Sequence, residues 1–506
     1  MSRSSPVRLS LGPLSVYVAS LDGCPNLAEF VAALPSGMPV VWLDSARQHA
    51  VTGRWSIVGY DPWLTFTAHG DRLELRTSDA TQSWRGHPLD GLRQVLRRYR
   101  LRAGGRAARM EEWGVVGRAV GFLGYLSYEL NRWIERLPEP QPSERPLAEL
   151  AWFGMRVSVL VDHAQQRSWV LSVIDPHSPQ SLARRQAMEA FEGALDQLQP
   201  EGAAPFSVAG PEWWASRAAA SPRPTTTQAE FERMVARALE HIRAGDIFQA
   251  NVSQRFTMPW HGHPLALYRT LRRINPSPFA CFLSWEDLAV VSCSPERLVR
   301  VQRGRAETRP IAGTRPRGMT PESDAMNSLE LLLSEKERAE HIMLVDLARN
   351  DLGRVCAAGS VAVDELMAIE EYSHVMHIVS NVSGALRPSI DPVDVIRAVF
   401  PGGTITGCPK VRCMEILREL EPVPRGLYTG SVGSIGIDGT MDLNLAIRTM
   451  VRQADALSFH VGAGIVADSV PEREYHETLA KAAALMEALG ASGGQRPSYS
   501  HEEPGR

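Results

Sequence analysis

An α+β fold, with antiparallel β-sheets packed together and covered by helices, is what this sequence predicts, and three observations predict it. Strand-patterned segments come in pairs around short polar turns, as hairpins do. Amphipathic helices flank these hairpins. The length, 506 residues, exceeds what one ordinary core holds, so it requires two domains or one unusually large unit.

The elements follow in order. WSIVGYDPWLTFTAHGDRLELRT and LAWFGMRVSVLVDHAQQRSWVLSVI each read as two strands about a polar turn, and SLARRQAMEAFEGALDQLQ reads as the helix closing that half. Residues 200–227 are rich in Pro, Ala, Ser and Thr and keep no period, which is linker chemistry. The expected organisation is an N-terminal domain at 1–200, a linker at 201–227, a second domain at 228–490 and a disordered tail at 491–506. The second domain opens on a helix whose Thr227 and Glu230 have capping-box spacing and whose Phe231, Val235, Ala238 and Ile242 share one face. IFQANVSQRF, FACFLSW, LAVVSCSP and RLVRVQRGRAETRP read as strands, and one long helix is expected from about Pro321 to Asp346. After residue 391, helices (PVDVIRAVF, KVRCMEILREL) alternate with strands (YTGSVGSIGI, LNLAIRTMVR, LSFHVGAGIV) before a final helix from Glu472.

Composition excludes several classes of function. Lys and Arg total 54 against 57 Asp and Glu, so the chain lacks the dense basic field that a nucleic acid or an anionic membrane needs. No run of about 18 apolar residues marks a membrane span, and the start, MSRSSPVRLSLGPLSVYVAS, lacks a signal-peptide core. Six cysteines are too few for a disulfide scaffold. A cytoplasmic enzyme with no nucleic-acid or membrane partner is expected.

Several constellations could carry chemistry. Glu337, Glu340 and His341 share one helix side, as do Glu474, Glu477 and Lys481. If the two helices converge they make a hard-oxygen site suited to Mg²⁺; if they do not, they are solvated faces. In PGGTITGCPK, Gly402 and Gly407 have the outer spacing of a P-loop, but Cys408 and Pro409 stand where its Gly-Lys would begin, so Walker A fails. A glycine-rich turn with Lys410 nearby can still bind a carboxylate. Gly313 and Thr314 lie among cations, Gly462 and Gly464 precede the second acidic helix, and each pair reads equally as turn residues. His374 and His377 lie in an apolar strand, where histidine is more often structural, and Cys408 and Cys413 lack the second pair that zinc requires.

The order of GDIFQANVSQRF, CSPERLVR, ETRPIAGTRPRG, ERAEHIMLVDLARNDLGRV, YSHVMHIVSNVSG, FPGGTITGCPKVRCMEILRELEP, YTGSVG, MDLNLAIRTM and GAGIVADSVPEREYHETLAKA resembles the chorismate-utilising enzymes across nearly all of 228–485. WLDSA, GRWSIVGYDP and GYLSYEL extend the likeness into the first half, toward the anthranilate synthase and aminodeoxychorismate synthase branch. The resemblance implies Mg²⁺ held by Glu340 and Glu477 with Glu337 and Glu474 beside them, and Glu296 as the general acid for the departing C4 hydroxyl. It implies His377 near the ring, and substrate binding by Gly313, Thr314, Thr404, Tyr428, Arg448, Gly464 and Lys481. Relatives that add water carry a lysine base where this chain has Gln249, so ammonia is the implied nucleophile. It would come from a separate glutamine amidotransferase subunit or from ammonium. The resemblance also allows tryptophan in the N-terminal half, as inhibitor or as structural ligand.

Product choice turns on few positions. Ala312 replaces a lysine common in aminodeoxychorismate synthases, and with Thr404 and YSHVMHIVS it leans toward anthranilate. Asn251, the second glycine of FPGGT, LARNDLGRV, LDSA and LSYEL lean toward 4-amino-4-deoxychorismate, the expected product. An inactive chorismate-binding regulator would lack acid or metal residues, which this chain retains.

Overall fold

The computed structural model describes residues 4–47, 52–101, 113–198, 221–318, 320–371 and 375–490. His374, the tail and most of the expected linker lie outside them.

Two long strands organise the molecule. Trp55–His69 and Leu150–Asp162 pair antiparallel along most of their length and belong to two sheets at once. Residues 57–60 pair on their other edge with Val40–Asp44, whereas residues 64–69 pair with Arg72–Thr77. The register shifts between Pro62 and Leu64, where proline has no N–H to give the ladder.

The first sheet runs from Val40–Asp44 through Phe279–Trp285, Leu288–Ser294, Thr449–Gln453 and Ala456–Ile465 to Gln249–Pro259. The second runs from Leu150–Asp162 through Gly121–Leu126, Ser431–Gly436, Met441–Asn444, Arg297–Gln302 and Arg305–Thr308 to Val375–Ala385. Ile311–Pro316 and Ala362–Glu371 both pair with that last strand. Each sheet therefore joins strands from before the linker to strands from after it, Val40–Asp44 to Phe279–Trp285 in the first and Gly121–Leu126 to Ser431–Gly436 in the second, and the break in composition does not coincide with a break in the sheets. Trp42, Trp152 and Phe66 are fully buried in the cores beside these shared strands, where a large apolar side chain contributes about 1.5–3 kcal/mol.

Most elements fall where periodicity places them, including the Thr227/Glu230 capping box on helix Gln228–Arg243. Two do not. The expected helix from Pro321 to Asp346 is two helices, Pro321–Leu333 and Glu335–Gly353. Ser334 stands between them in extended geometry and accepts a hydrogen bond from Glu337 N, so a serine that reads as mid-helix acts as a cap. LNLAIRTMVR likewise splits into Met441–Asn444 and Thr449–Gln453. No helix among the described residues is long and apolar enough to cross a membrane.

Candidate active site

Strands at the far ends of both sheets carry Gln249, Gly464, Ala312, Gly313, Thr314 and His377, and the chain passes from one sheet to the other at Glu296. Glu296 N–H donates to Ser294 Oγ (3.3 Å), and its carbonyl accepts from Leu445 N (3.0 Å). Thr404, on the single helical turn Gly403–Ile405, donates from Oγ1 to Glu296 Oε1 at 2.8 Å. Glu296 is 7% exposed. Burial pushes its carboxyl up to about 7, against the opposing pulls of Thr404 and Arg448. A carboxyl with that affinity holds a proton near neutrality and can release it to a leaving group.

Arg448 occupies the break between the two split strands, at φ +49°. A left-handed conformation costs a side-chain-bearing residue on the order of 1–2 kcal/mol, and here it sets a cation where its field reaches both Glu296 and His377. His377 is buried, and burial lowers its imidazole to about 4, so it is neutral near pH 7. Nδ1 lies 3.1 Å from the Gly313 carbonyl, which can only accept. The proton therefore sits on Nδ1 and the lone pair on Nε2. Gly313 has φ +64°, and a Cβ there would stand 2.8 Å from Leu331 Cδ1 and 3.0 Å from Glu337 Oε2. Thr314 pairs in the ladder with His377, and Ala312 pairs with Ile378.

Beyond Gly313 the acidic helices Glu335–Gly353 and Pro471–Ala488 face each other. Glu340 is raised by burial and by the negative charges of Glu337, Glu474 and Glu477. Glu474 is raised by burial and by Glu477, against Ser469. An all-carboxylate set in which neighbouring negative charges help raise Glu340 and Glu474 is hard-oxygen donor chemistry of the kind that suits Mg²⁺. Among the described residues no three acidic, histidine or cysteine side chains converge to hold a metal by themselves. Lys481 bridges Glu477 Oε1 (2.7 Å) and the Gly462 carbonyl (3.0 Å).

The last side is made by glycines and amides. A Cβ at Gly464 would meet Gln249 Nε2 at 2.7 Å, and one at Gly462 would meet the Tyr428 hydroxyl at 2.6 Å. Gln249 is buried with its Oε1 unpartnered among the described residues. Tyr428 stacks on His460 at 5.2 Å and accepts from Asn251 Nδ2 at 3.4 Å. Gln249 pairs in the ladder with Cys408, four residues after Thr404, so the circuit of contacts closes.

Some predicted partners are not brought together. His341 leaves the acidic face: it is fully buried, with Nε2 2.5 Å from Ser380 Oγ. Lys410 is spent on Asp351 (2.7 Å) and the Val399 carbonyl (3.2 Å), so the glycine-rich turn does not present it to a ligand. Cys413 is buried against the Gln249 carbonyl. Arg425, Glu421 and the amide of Asn251 were not singled out as site-forming; the signal was a lone ion pair in a Pro- and Gly-rich stretch, EPVPRG.

The family model described as chorismate binding enzyme matches residues 39–487. The chain belongs to the chorismate-binding enzymes. Anthranilate synthase component 1 of Aquifex aeolicus is 42% identical over 92% of each chain. Aminodeoxychorismate synthase component 1 of Bacillus subtilis is 39% identical over 92% of this chain and 95% of that one. In structure, the chorismate-binding enzyme resembles anthranilate synthase component I from Streptococcus pneumoniae, at TM-score 0.73 and 30% identity over 87% of this chain and 94% of that chain. It shares its fold with the menaquinone-specific isochorismate synthase of Escherichia coli, at TM-score 0.68 and 15% identity over 96% of each chain.

A large cavity of this chorismate-binding enzyme lies elsewhere. About 1210 Å³ in volume, it is lined by strands of both sheets, with Asp44, Arg54, Trp55, Arg118, Phe279 and Asp442 on its walls.

Proposed function

We propose that this chain is the synthase component that aminates chorismate with ammonia to 4-amino-4-deoxychorismate, releasing water. The observation that carries the amination chemistry is Glu296, a buried carboxyl that keeps its proton near pH 7 and is aimed by Thr404. It would protonate the C4 hydroxyl as that group leaves. Arg448 has the charge and fork to grip a substrate carboxylate. Gln249 stands where a water-activating base would stand and cannot deprotonate water, so ammonia is the nucleophile, supplied by a glutamine amidotransferase subunit. Magnesium, held by Glu340 and Glu477 with Glu337 and Glu474 adjacent, would neutralise a substrate carboxylate. The enzyme would work in the cytoplasm.

Amination at C4 is supported by Asn251, FPGGT, LARNDLGRV, LDSA and LSYEL, and by the relative from Bacillus subtilis. Other observations favour anthranilate: the relative from Aquifex aeolicus supports it equally, Thr404 and YSHVMHIVS lean that way, Ala312 offers no amine to shield C2, and neutral His377 is suited to take the C2 proton as pyruvate departs. A coupled assay with chorismate, Mg²⁺ and ammonium separates the two. Lactate dehydrogenase with NADH reports pyruvate, and fluorescence reports anthranilate. The proposal expects silence on both until an aminodeoxychorismate lyase is added; both signals without the lyase would make the product anthranilate.

We assign the expected tryptophan to the large cavity, whose aromatic walls and charges of both signs fit a zwitterionic aromatic amino acid. Calorimetric titration should show saturable heat, and no heat would remove the assignment.

A further inference from the structure

Arg425 is 2% exposed, a cation buried beside Glu421 with contacts of 2.8 Å from Nε and 2.7 Å from Nη2. A buried pair of this kind contributes little net stability over an apolar substitute, so its value is in where the remaining donors go. Nη2 also donates to the Asn251 carbonyl at 2.5 Å. Nη1 donates to the Ile405 carbonyl at 3.1 Å and to Thr429 Oγ1 at 3.2 Å. Glu421 Oε1 in turn accepts from Ser253 N (2.9 Å) and Ser253 Oγ (2.8 Å). One guanidinium therefore ties together three pieces of the site: the strand bearing Gln249 and Asn251, the turn bearing Thr404, and the segment bearing Tyr428.

We propose that Arg425 is a positioning residue that fixes the Thr404 turn against Glu296 and so sets the proton affinity of the acid. The role rests on reading Glu296 as the general acid. Its physical basis is the rigid planar fork, which reaches two carbonyls on different elements at once; a lysine ammonium keeps the charge but is a point on a flexible stem. Ile405, whose carbonyl is held, is the neighbour of Thr404, so a slack fork loosens the hydrogen bond to Glu296 Oε1. The charged groups around Glu296 are otherwise committed. Arg448 faces it, Asp351 in the same cleft is tied to Lys410 (2.7 Å), and Arg297 is turned to Asp442 (2.9 Å) and Glu307 (3.3 Å).

The test is the pH profile of kcat in Arg425→Lys, Thr404→Val and the double variant. Because the Thr404 bond stabilises the ionised form, losing it raises the affinity of Glu296, and the alkaline limb should move to higher pH in either single variant. Arg425→Lys should also lower kcat roughly ten- to hundredfold, with KM changing less. The double variant should shift no further than Thr404→Val alone. A folded Arg425→Lys enzyme with an unmoved limb, or additive shifts, would overturn the role. If circular dichroism shows Arg425→Lys unfolded, Glu421→Gln, which slackens the same fork, must move the limb, and an unmoved limb there is equally fatal. Glu296→Gln separates the two failures: a limb that survives this change refutes Glu296 as the acid. A limb that vanishes there yet stays put in Arg425→Lys refutes only the positioning.

Discussion

Glu296 and the group Glu337, Glu340, Glu474 and Glu477 are all predicted site residues, yet the chain holds them by different means. Glu296 is a single carboxyl, buried, fixed through backbone bonds to Ser294 and Leu445 and aimed by one hydroxyl. The four glutamates sit on two helices, are partly exposed, and act on one another as like charges. The first arrangement is complete in the protein and holds a proton. The second keeps its carboxylates close together, offset only in part by Lys481 on Glu477 and Arg315 on Glu337. Pre-organisation by burial suits an acid, whereas mutual repulsion suits a metal site that assembles with its ligand.

That contrast can be broken most directly at Glu296. Glu296→Gln keeps shape and hydrogen bonding but has no proton to give, so kcat should fall by about 10² to 10⁴ while chorismate still binds by calorimetry. An unchanged kcat would remove the acid from the scheme. The metal half is sharpened by Glu340→Gln and Glu477→Gln. Each removes one charge from the cluster, so the Mg²⁺ concentration for half-maximal activity should rise about tenfold or more, with little change in melting temperature without metal. Full activity of both variants at limiting Mg²⁺ would dissolve the metal assignment. The smallest effect is on stability. Folding raises the Glu296 carboxyl from 4.5 to about 7, so the folded state binds the extra proton in that window. Its contribution is fully present below about 4.5 and lost as pH rises toward 7, and Glu296→Gln should lack this loss. Melting curves of the two proteins should diverge over that range, the wild type falling; parallel curves would mean that burial does not set this carboxyl.

Much of this arrangement was legible in the sequence, for identifiable reasons. The acidic faces could be seen because helical spacing is regular, and what the structure adds is that their charges act on one another across the two helices. The strands could be seen because hairpins alternate about polar turns. Ser334 was not legible as a boundary, since one serine in a helical pattern is tolerated unless its side chain finds the following N–H. His341 shares the spacing of Glu337 and Glu340, but one step around a helix turned it from the acidic face into the core. Arg425 was invisible as a hub because its partners, Asn251 and Ile405, are distant in sequence and contribute carbonyls, which every residue has.

The joining of the two halves edge to edge in both sheets bears on how the protein is made. Gly121–Leu126 presents one ladder edge to Ser431–Gly436, synthesised about 300 residues later, and Val40–Asp44 waits for Phe279–Trp285 about 240 residues on. At roughly 5–20 residues per second, the first of these edges stands unpaired for about 15–60 s on the ribosome. Open strand edges template pairing with other chains. The order of translation therefore leaves the first half of each nascent molecule sticky until its second half arrives, and places the burden of keeping it apart on chaperones.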